Sequence, residues 1–226
     1  MRAIIIAAGK TDGNENWQHW VQAGDLIIGA DGGAARARAW GLAVDVIVGD
    51  MDSLAKEEQA ALARQGGQFL HHPRAKDETD LELALNYALE AGAQEIVILG
   101  ALGGRLDHTL GNVLLLTLPQ LARVPARIVS DGQEALVIRG GETAQIEGQP
   151  GDLVSLLPLG GDARAVTTQG LAWSLAGETL RFGFSRGISN EMTSSTAQVQ
   201  VGEGLLLAVH LFGTFDNSPV RVGGKR

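Results

Sequence analysis

Apolar and polar positions follow two different rhythms along this chain. In the first half, short β-branched runs at residues 3–7, 26–30, 46–49, 68–71 and 95–100 alternate with stripes of helical spacing. Runs that are short, apolar and closed by glycine or a polar turn read as buried parallel strands. The intervening stripes predict helices over 34–40 and 56–64. A third helix carries Leu81, Ala84, Leu85, Ala88 and Leu89, and a fourth carries Leu106, Leu110, Val113, Leu114 and Leu118 before Pro119. Leu110 and Leu114 are expected in the core. Trp17 and Trp20 are expected on one face of a short helix after a polar loop through Asp12, Asn14 and Asn16.

From about Val124 the helical stripes vanish. Candidate strands at 127–130, 135–138, 153–157, 163–167, 179–182 and 205–211 alternate with Gly, Asp and Pro turns, and Gly223 to Arg226 reads as a frayed tail. The expected fold class is α/β. A doubly wound, mostly parallel sheet domain over residues 1–124 would be followed by an all-β sandwich over 125–226.

Polar residues gather where the predicted strands end. Val46-Ile47-Val48 stops at Gly49-Asp50-Met51-Asp52-Ser53, with Ser53 placed to cap the next helix. The second strand ends in Asp31-Gly32-Gly33, whose glycines would let backbone approach a phosphate. The fourth is followed by Lys76-Asp77-Glu78-Thr79-Asp80-Leu81-Glu82, in which Thr79 and Glu82 have capping-box spacing. The fifth runs into Gly103-Gly104-Arg105-Leu106-Asp107-His108, with Arg105 suited to a bidentate grip on phosphate.

Each feature alone has an ordinary explanation. Asp50 and Asp52 would serve as loop carboxylates capping a helix, Asp80 would answer the helix dipole, and Gly-Gly is a common turn. Arg36 and Arg38 read as solvated helix residues or phosphate contacts. Together, though, a doubly wound topology carries all these strand ends to one edge, where ligands bind. Carboxylates there would hold a hard cation such as Mg²⁺, with arginine and glycine amides on phosphate, which is the equipment of metal-assisted phosphoryl transfer. No Gly-x-x-x-x-Gly-Lys-Ser/Thr run occurs, so a P-loop is excluded.

Composition narrows the picture modestly. A chain of 226 residues with 45% hydrophobic content can build one large domain or two small ones. A net charge of -8 with scattered Lys and Arg argues against a nucleic-acid surface. The absence of cysteine removes thiol catalysis and thiolate metal sites and fits a reducing compartment. With no signal peptide or membrane-length apolar run, the expectation is a cytoplasmic protein without a membrane partner. In the second half, Trp173 and Ser185 to Glu191 could stack on and hydrogen-bond a flat heterocycle, although Trp173 taken alone reads as a core residue. His210, within a strand, reads as structural.

The set Asp31-Gly-Gly-Ala34, Gly49-Asp-Met-Asp-Ser53, Asp77-Glu-Thr-Asp-Leu81, Gly100-Ala-Leu-Gly-Gly-Arg-Leu-Asp-His108 and Ser189-Asn190 resembles the thiamine pyrophosphokinase family along nearly the whole chain. The resemblance implies transfer of the pyrophosphoryl group of ATP to the hydroxyl of thiamine, with release of AMP. It implies Mg²⁺ on Asp50, Asp52 and Asp80, with Asp31 and Asp77 lining the junction of triphosphate and thiamine. It further implies nucleotide contacts from Gly32, Gly33, Thr79, Gly103, Gly104, Arg105, Asp107 and His108, and thiamine contacts from Trp173, Ser189 and Asn190. A homodimer with the thiamine site between subunits is implied as well. Ala35 stands where the family often has Asn, and Met51 where it has Phe. Two other readings stay open at this level. A haloacid-dehalogenase-like phosphatase also places Asp-x-Asp after a strand, and a non-catalytic nucleotide or thiamine sensor needs no metal-bound carboxylates.

Overall fold

The computed structural model describes residues 1–9, 17–130 and 132–212. The loop through Asp12, Asn14 and Asn16 and the tail from Gly223 lie outside them.

Five β-branched or apolar segments form parallel strands: β1 (Arg2–Ile6), β2 (Leu26–Ala30), β3 (Val46–Gly49), β4 (Gln68–His71) and β5 (Glu95–Leu99). A sixth, β6 (Ala126–Ser130), pairs in parallel with β5, and the order is β4-β3-β2-β1-β5-β6. The chain winds outward from β1 to β4 and then crosses back to β5 on the other side of β1. That reversal opens a crevice at the carboxyl ends of β1 and β5.

The alternation of side chains along β1 divides the core. Ala3 and Ile5 pack with Leu81, Ala84, Leu85 and Ala88 of α3 (Asp80–Glu90), whereas Ile4 and Ile6 pack with Ala34 and Ala37 of α1 (Gly33–Ala39) and Leu62 of α2 (Lys56–Arg64). Ile4, Ile5 and Ile6 are fully buried, which stabilises the fold by roughly 1.5–3 kcal/mol for each side chain. Thr79 caps α3 by accepting a hydrogen bond from the Glu82 amide at 3.2 Å, as the capping spacing predicts. Ser53 does not cap α2. Ala55 holds that position, and the Ser53 hydroxyl turns to Asp52 instead.

Beyond β6 the ladder continues without a break through antiparallel strands. β7 (Gln133–Arg139) pairs with β6, β13 (Glu203–Leu211) with β7, and β9 (Leu153–Gln169) with β13. β9 is one bent strand where the sequence suggests two. Its first part belongs with β13, and past Gly160 it turns into a second sheet with β10 (Ala176–Leu180), β12 (Thr196–Gln200) and β8 (Thr143–Glu147). Between the layers lie Ile138, Ile146, Val154, Leu156, Val166, Val199 and Leu206, so the second half is a sandwich. A two-residue strand, β11 (Asn190–Glu191), adds to the edge of β9.

The expected role of Leu110 and Leu114 is overturned. On α4 (Leu106–Leu115), Leu106 is 71% exposed, Leu110 55% and Leu114 54%. Helical periodicity identifies an apolar stripe but not what covers it, and among the described residues nothing covers this one. Trp173, at 64% exposed, also stands outside the core. Trp17 and Trp20 pack against the same core cluster, where Trp17 also stacks on Trp40 at 5.6 Å and the Arg127 guanidinium lies over the Trp20 ring.

His210 is buried where β7, β9 and β13 meet. Its Nδ1 lies 3.3 Å from Glu134 and its Nε2 3.0 Å from Asp152, and Arg127 donates to the far oxygen of Glu134 at 2.9 Å. Both ring nitrogens can donate only in the imidazolium form. Burial opposes that charge, but the hydrogen bonds to Glu134 and Asp152 outweigh it and raise the pKa above the ordinary 6.5. A raised folded-state pKa stabilises fully below the unfolded value and ceases to do so as pH climbs through the folded one. Glu134, held below 4.5 by His210 and Arg127 against the cost of burial, gives the mirror-image loss on acidification. Urea midpoints should therefore fall on the alkaline side of pH 6.5, and His210→Gln should remove that fall while costing about 3 kcal/mol or more at pH 6. A wild-type midpoint that stays flat across this range would exclude a charged His210.

Candidate active site

The crevice at the β1/β5 switch point is a cavity of about 850 Å³. Its walls come from the ends of β1 (Ala7 to Gly9), β2 (Ala30, Asp31), β3 (Asp50) and β5 (Ala101, Gly103 to Arg105), from the start of α3 (Thr79 to Leu81), and from His108 and Asn112 of α4. The sequence argument that separate strand ends deliver their polar residues to one place is met.

Asp31, Asp50 and Asp52 each present a carboxylate oxygen, and these oxygens lie within 4.8 Å of one another. The backbone that delivers them is unusual. Asp31 has φ 44° and Met51 φ 64°, left-handed values that cost energy for residues with a side chain and persist where the surrounding structure enforces them. At Asp31 the turn fixes the carboxylate in a half-buried position with Oδ1 buried and, among the described residues, without a hydrogen-bond partner. A buried carboxylate oxygen without a donor calls for a cation. The donor set consists of oxygens alone, which suits a hard divalent ion. The residues present thus fit Mg²⁺, with Asp31 joining the expected Asp50 and Asp52.

Asp80 lies in the same cavity but with a different partner. Its Oδ1 accepts from the Lys76 ammonium at 2.6 Å. Gly49 is required beside it, since at φ 146° a Cβ there would sit 2.9 Å from Asp80 Oδ1 and 3.1 Å from the Asp31 Cβ. The Asp52 amide donates to Asp50 at 3.0 Å and, with the Lys76 and Arg74 charges, holds the Asp50 carboxyl below the usual carboxylate range.

The cavity is bipolar. Asp31, Asp50, Glu78 and Asp80 face Arg36, Arg74, Lys76 and Arg105, so a cation and a polyanion can be held together. Arg105 and Asp107 form an exposed fork at the lip, at 2.6 and 3.1 Å, and Arg105 with the His108 amide lowers Asp107 to about 2. Gly103 and Gly104, both exposed, line the cavity in left-handed conformations.

Other expected site residues take different places. Gly32 and Gly33 form the turn behind Asp31, and Gly33 is fixed by packing, because a Cβ there would lie 1.9 Å from the Ile6 carbonyl oxygen. Asp77 is exposed beside the cavity. Trp173, Ser189 and Asn190 do not line it. The buried Asn190 amide clamps the Trp173 backbone, accepting from its N–H at 3.0 Å and donating to its carbonyl at 2.7 Å, and so presents the exposed indole. Ser189, at φ 59°, gives its amide to Ser155 Oγ.

Sequence reasoning missed two contributors, Asn112 and Lys76, and left the role of a third, Arg36, open. Arg36 donates to the carbonyls of Ala7, at 2.8 Å, and Gly9, and fastens the loop after β1. Asn112 donates to the Ala101 carbonyl at 2.7 Å and fastens the loop after β5. Lys76 stands inside a quoted motif, four residues before Asp80, and that spacing was the available signal.

Comparisons with known proteins agree with this geometry. The family model for the thiamin pyrophosphokinase catalytic domain matches residues 17–128, and that for the thiamin pyrophosphokinase vitamin B1 binding domain matches 143–206. A thiamine pyrophosphokinase of Bacillus subtilis is 27% identical over 205 residues, 91% of this chain and 96% of that protein. Thiamine pyrophosphokinase 2 of Arabidopsis thaliana is 30% identical over 74% of this chain and 65% of its own length. The crystal structure of the B. subtilis enzyme superimposes with a TM-score of 0.85 at 26% identity, over 94% of this chain and 99% of that one. That of Geobacillus thermodenitrificans gives 0.81 at 27%, over 96% and 99%. With consecutive models matching both halves, and with relatives of one kind spanning almost its full length, the chain belongs to the thiamine pyrophosphokinase family.

Proposed function

We propose that the chain is an enzyme of thiamine diphosphate synthesis, transferring the pyrophosphoryl group of ATP to the hydroxyl of thiamine and releasing AMP. The observation that carries this reading is the carboxylate cluster of Asp31, Asp50 and Asp52, with its partnerless buried oxygen, in a cavity that also carries four cationic side chains. In the reaction the thiamine oxygen bonds to the β-phosphorus as the bridge to the α-phosphate breaks. Such transfer needs alignment of the attacking oxygen and neutralisation of charge on the leaving group more than covalent help.

Asp31, Asp50 and Asp52 would hold Mg²⁺, with Asp80 completing the set once released from Lys76. The ion supplies charge neutralisation along the phosphates and a fixed geometry for them. Arg105 and the Gly103 and Gly104 backbone would hold the nucleotide, with Thr79, Asp107 and His108 at the rim. Asp77, exposed beside the cavity, is assigned to the junction of the two substrates.

The thiamine contacts belong to a second copy of the chain. Trp173 and Ser189 are built for presentation to something outside their own subunit, because both are exposed and the buried Asn190 clamps the Trp173 backbone behind the indole. The uncovered stripe of Leu106, Leu110 and Leu114 flanks the cavity and provides an apolar face for that copy. The cytoplasm, where ATP and Mg²⁺ abound, is the compartment assigned.

Incubation with ATP, Mg²⁺ and thiamine should give AMP and thiamine diphosphate in equal amounts, and EDTA should stop both. Asp52→Asn should stay folded and lose about a hundredfold or more in turnover. Undiminished AMP production by that variant would remove the metal assignment. In size-exclusion chromatography the wild type should elute as a dimer and Leu110→Glu as a monomer that still binds Mg²⁺ and nucleotide but turns over little thiamine. A monomeric wild type with full activity would refute the shared site.

A further inference from the structure

Lys76 occupies a place that helix energetics do not explain. It precedes the first turn of α3, where the helix dipole disfavours a cation, and, lying outside that helix, it gains nothing from a helical side-chain pairing. Its side chain is nevertheless only 11% exposed, with the ammonium 2.6 Å from Asp80 Oδ1 inside the cavity and its charge felt at Asp50. The same loop brings Arg74 to 3.7 Å from Asp52. An ammonium held so far from water needs an anion beside it in every state of the site.

We propose that Lys76 is an exchangeable counter-ion, resting on Asp80 in the empty site and passing to the phosphate chain of the nucleotide when Asp80 turns to the divalent ion. The inference rests on the function proposed above and adds a positioning residue to it. No proton moves and no covalent bond changes. One ion pair is exchanged for another, Lys76 with Asp80 for Lys76 with phosphate. The exchange would keep the cluster from being an uncompensated anion before loading. It would also make metal and nucleotide mutually supportive, since each frees the group that the other requires.

The consequence is a pair of opposed changes that a structural role would not generate. By calorimetry on the full chain, Lys76→Met should bind Mg²⁺ alone several-fold more tightly, because the competitor for Asp80 is gone. It should bind Mg²⁺ with α,β-methylene ATP, an analogue whose scissile bridge cannot break, about tenfold more weakly, the loss expected for one charged hydrogen bond. Lys76→Gln, polar but neutral and one atom shorter, should show the same two signs, and Lys76→Arg should recover part of the nucleotide affinity. Changes of the same sign for both ligands, or no change for either, would overturn the proposal. These are binding measurements, so they separate from the function itself. Opposed signs in a protein that forms no AMP would sink the proposed activity alone, and normal AMP formation without opposed signs would sink the counter-ion role alone.

Discussion

Like charges are gathered at one sheet edge, and the rest of the catalytic half is arranged to tolerate them. Carboxylates whose oxygens come within 4.8 Å repel one another, and nothing local in the sequence would choose that arrangement. It persists because parallel strands with fully buried isoleucines fix where each turn begins. It is tempered because cations stand opposite and because the Asp52 amide and Ser53 hydroxyl hydrogen-bond the acids directly. Left-handed backbone at Asp31 and Met51 is the visible mark of this enforcement, as a strained conformation survives only where its surroundings are over-determined.

The two halves divide the work in physical terms. The parallel half supplies charge, through turns that bring acids, arginines and glycines to a crevice. The antiparallel half supplies shape, presenting an indole on a clamp made by a buried asparagine. Among the described residues Trp173, Ser189 and Asn190 do not line the crevice, and the exposed apolar stripe on α4 is the face through which we propose that a second copy brings the two sets together.

Much of this was legible in the sequence, for identifiable reasons. Strands such as Ala3-Ile4-Ile5-Ile6 announce themselves because both faces are buried, and the motifs at their ends sit where the topology makes them converge. The bend of β9 was not legible, since Gly160-Gly161 reads as a turn between strands when it is a corner within one. β8 and β12 were missed because their polar faces dilute a period-two signal to a few residues. Leu110 and Leu114 were misplaced because a stripe that meets its own core and one left bare have the same spacing. Asp31, assigned by the resemblance to the substrate junction, lies with Asp50 and Asp52 in one carboxylate cluster, because distance across a sheet edge is set by strand order, which no single motif records.

The unbroken ladder from β4 through β6 and β7 to β13 and β9 has a mechanical consequence. Two domains joined by a linker can swing, but two halves sharing hydrogen-bonded strands can swing only by tearing the ladder apart. Rigid-body clamping is therefore denied to this molecule, and any enclosure of substrate must come from side chains, from short loops such as the one carrying Lys76, or from a neighbouring copy. The shared sheet makes the geometry of the crevice a property of the whole chain, so that a strand far from the chemistry helps to hold its angles.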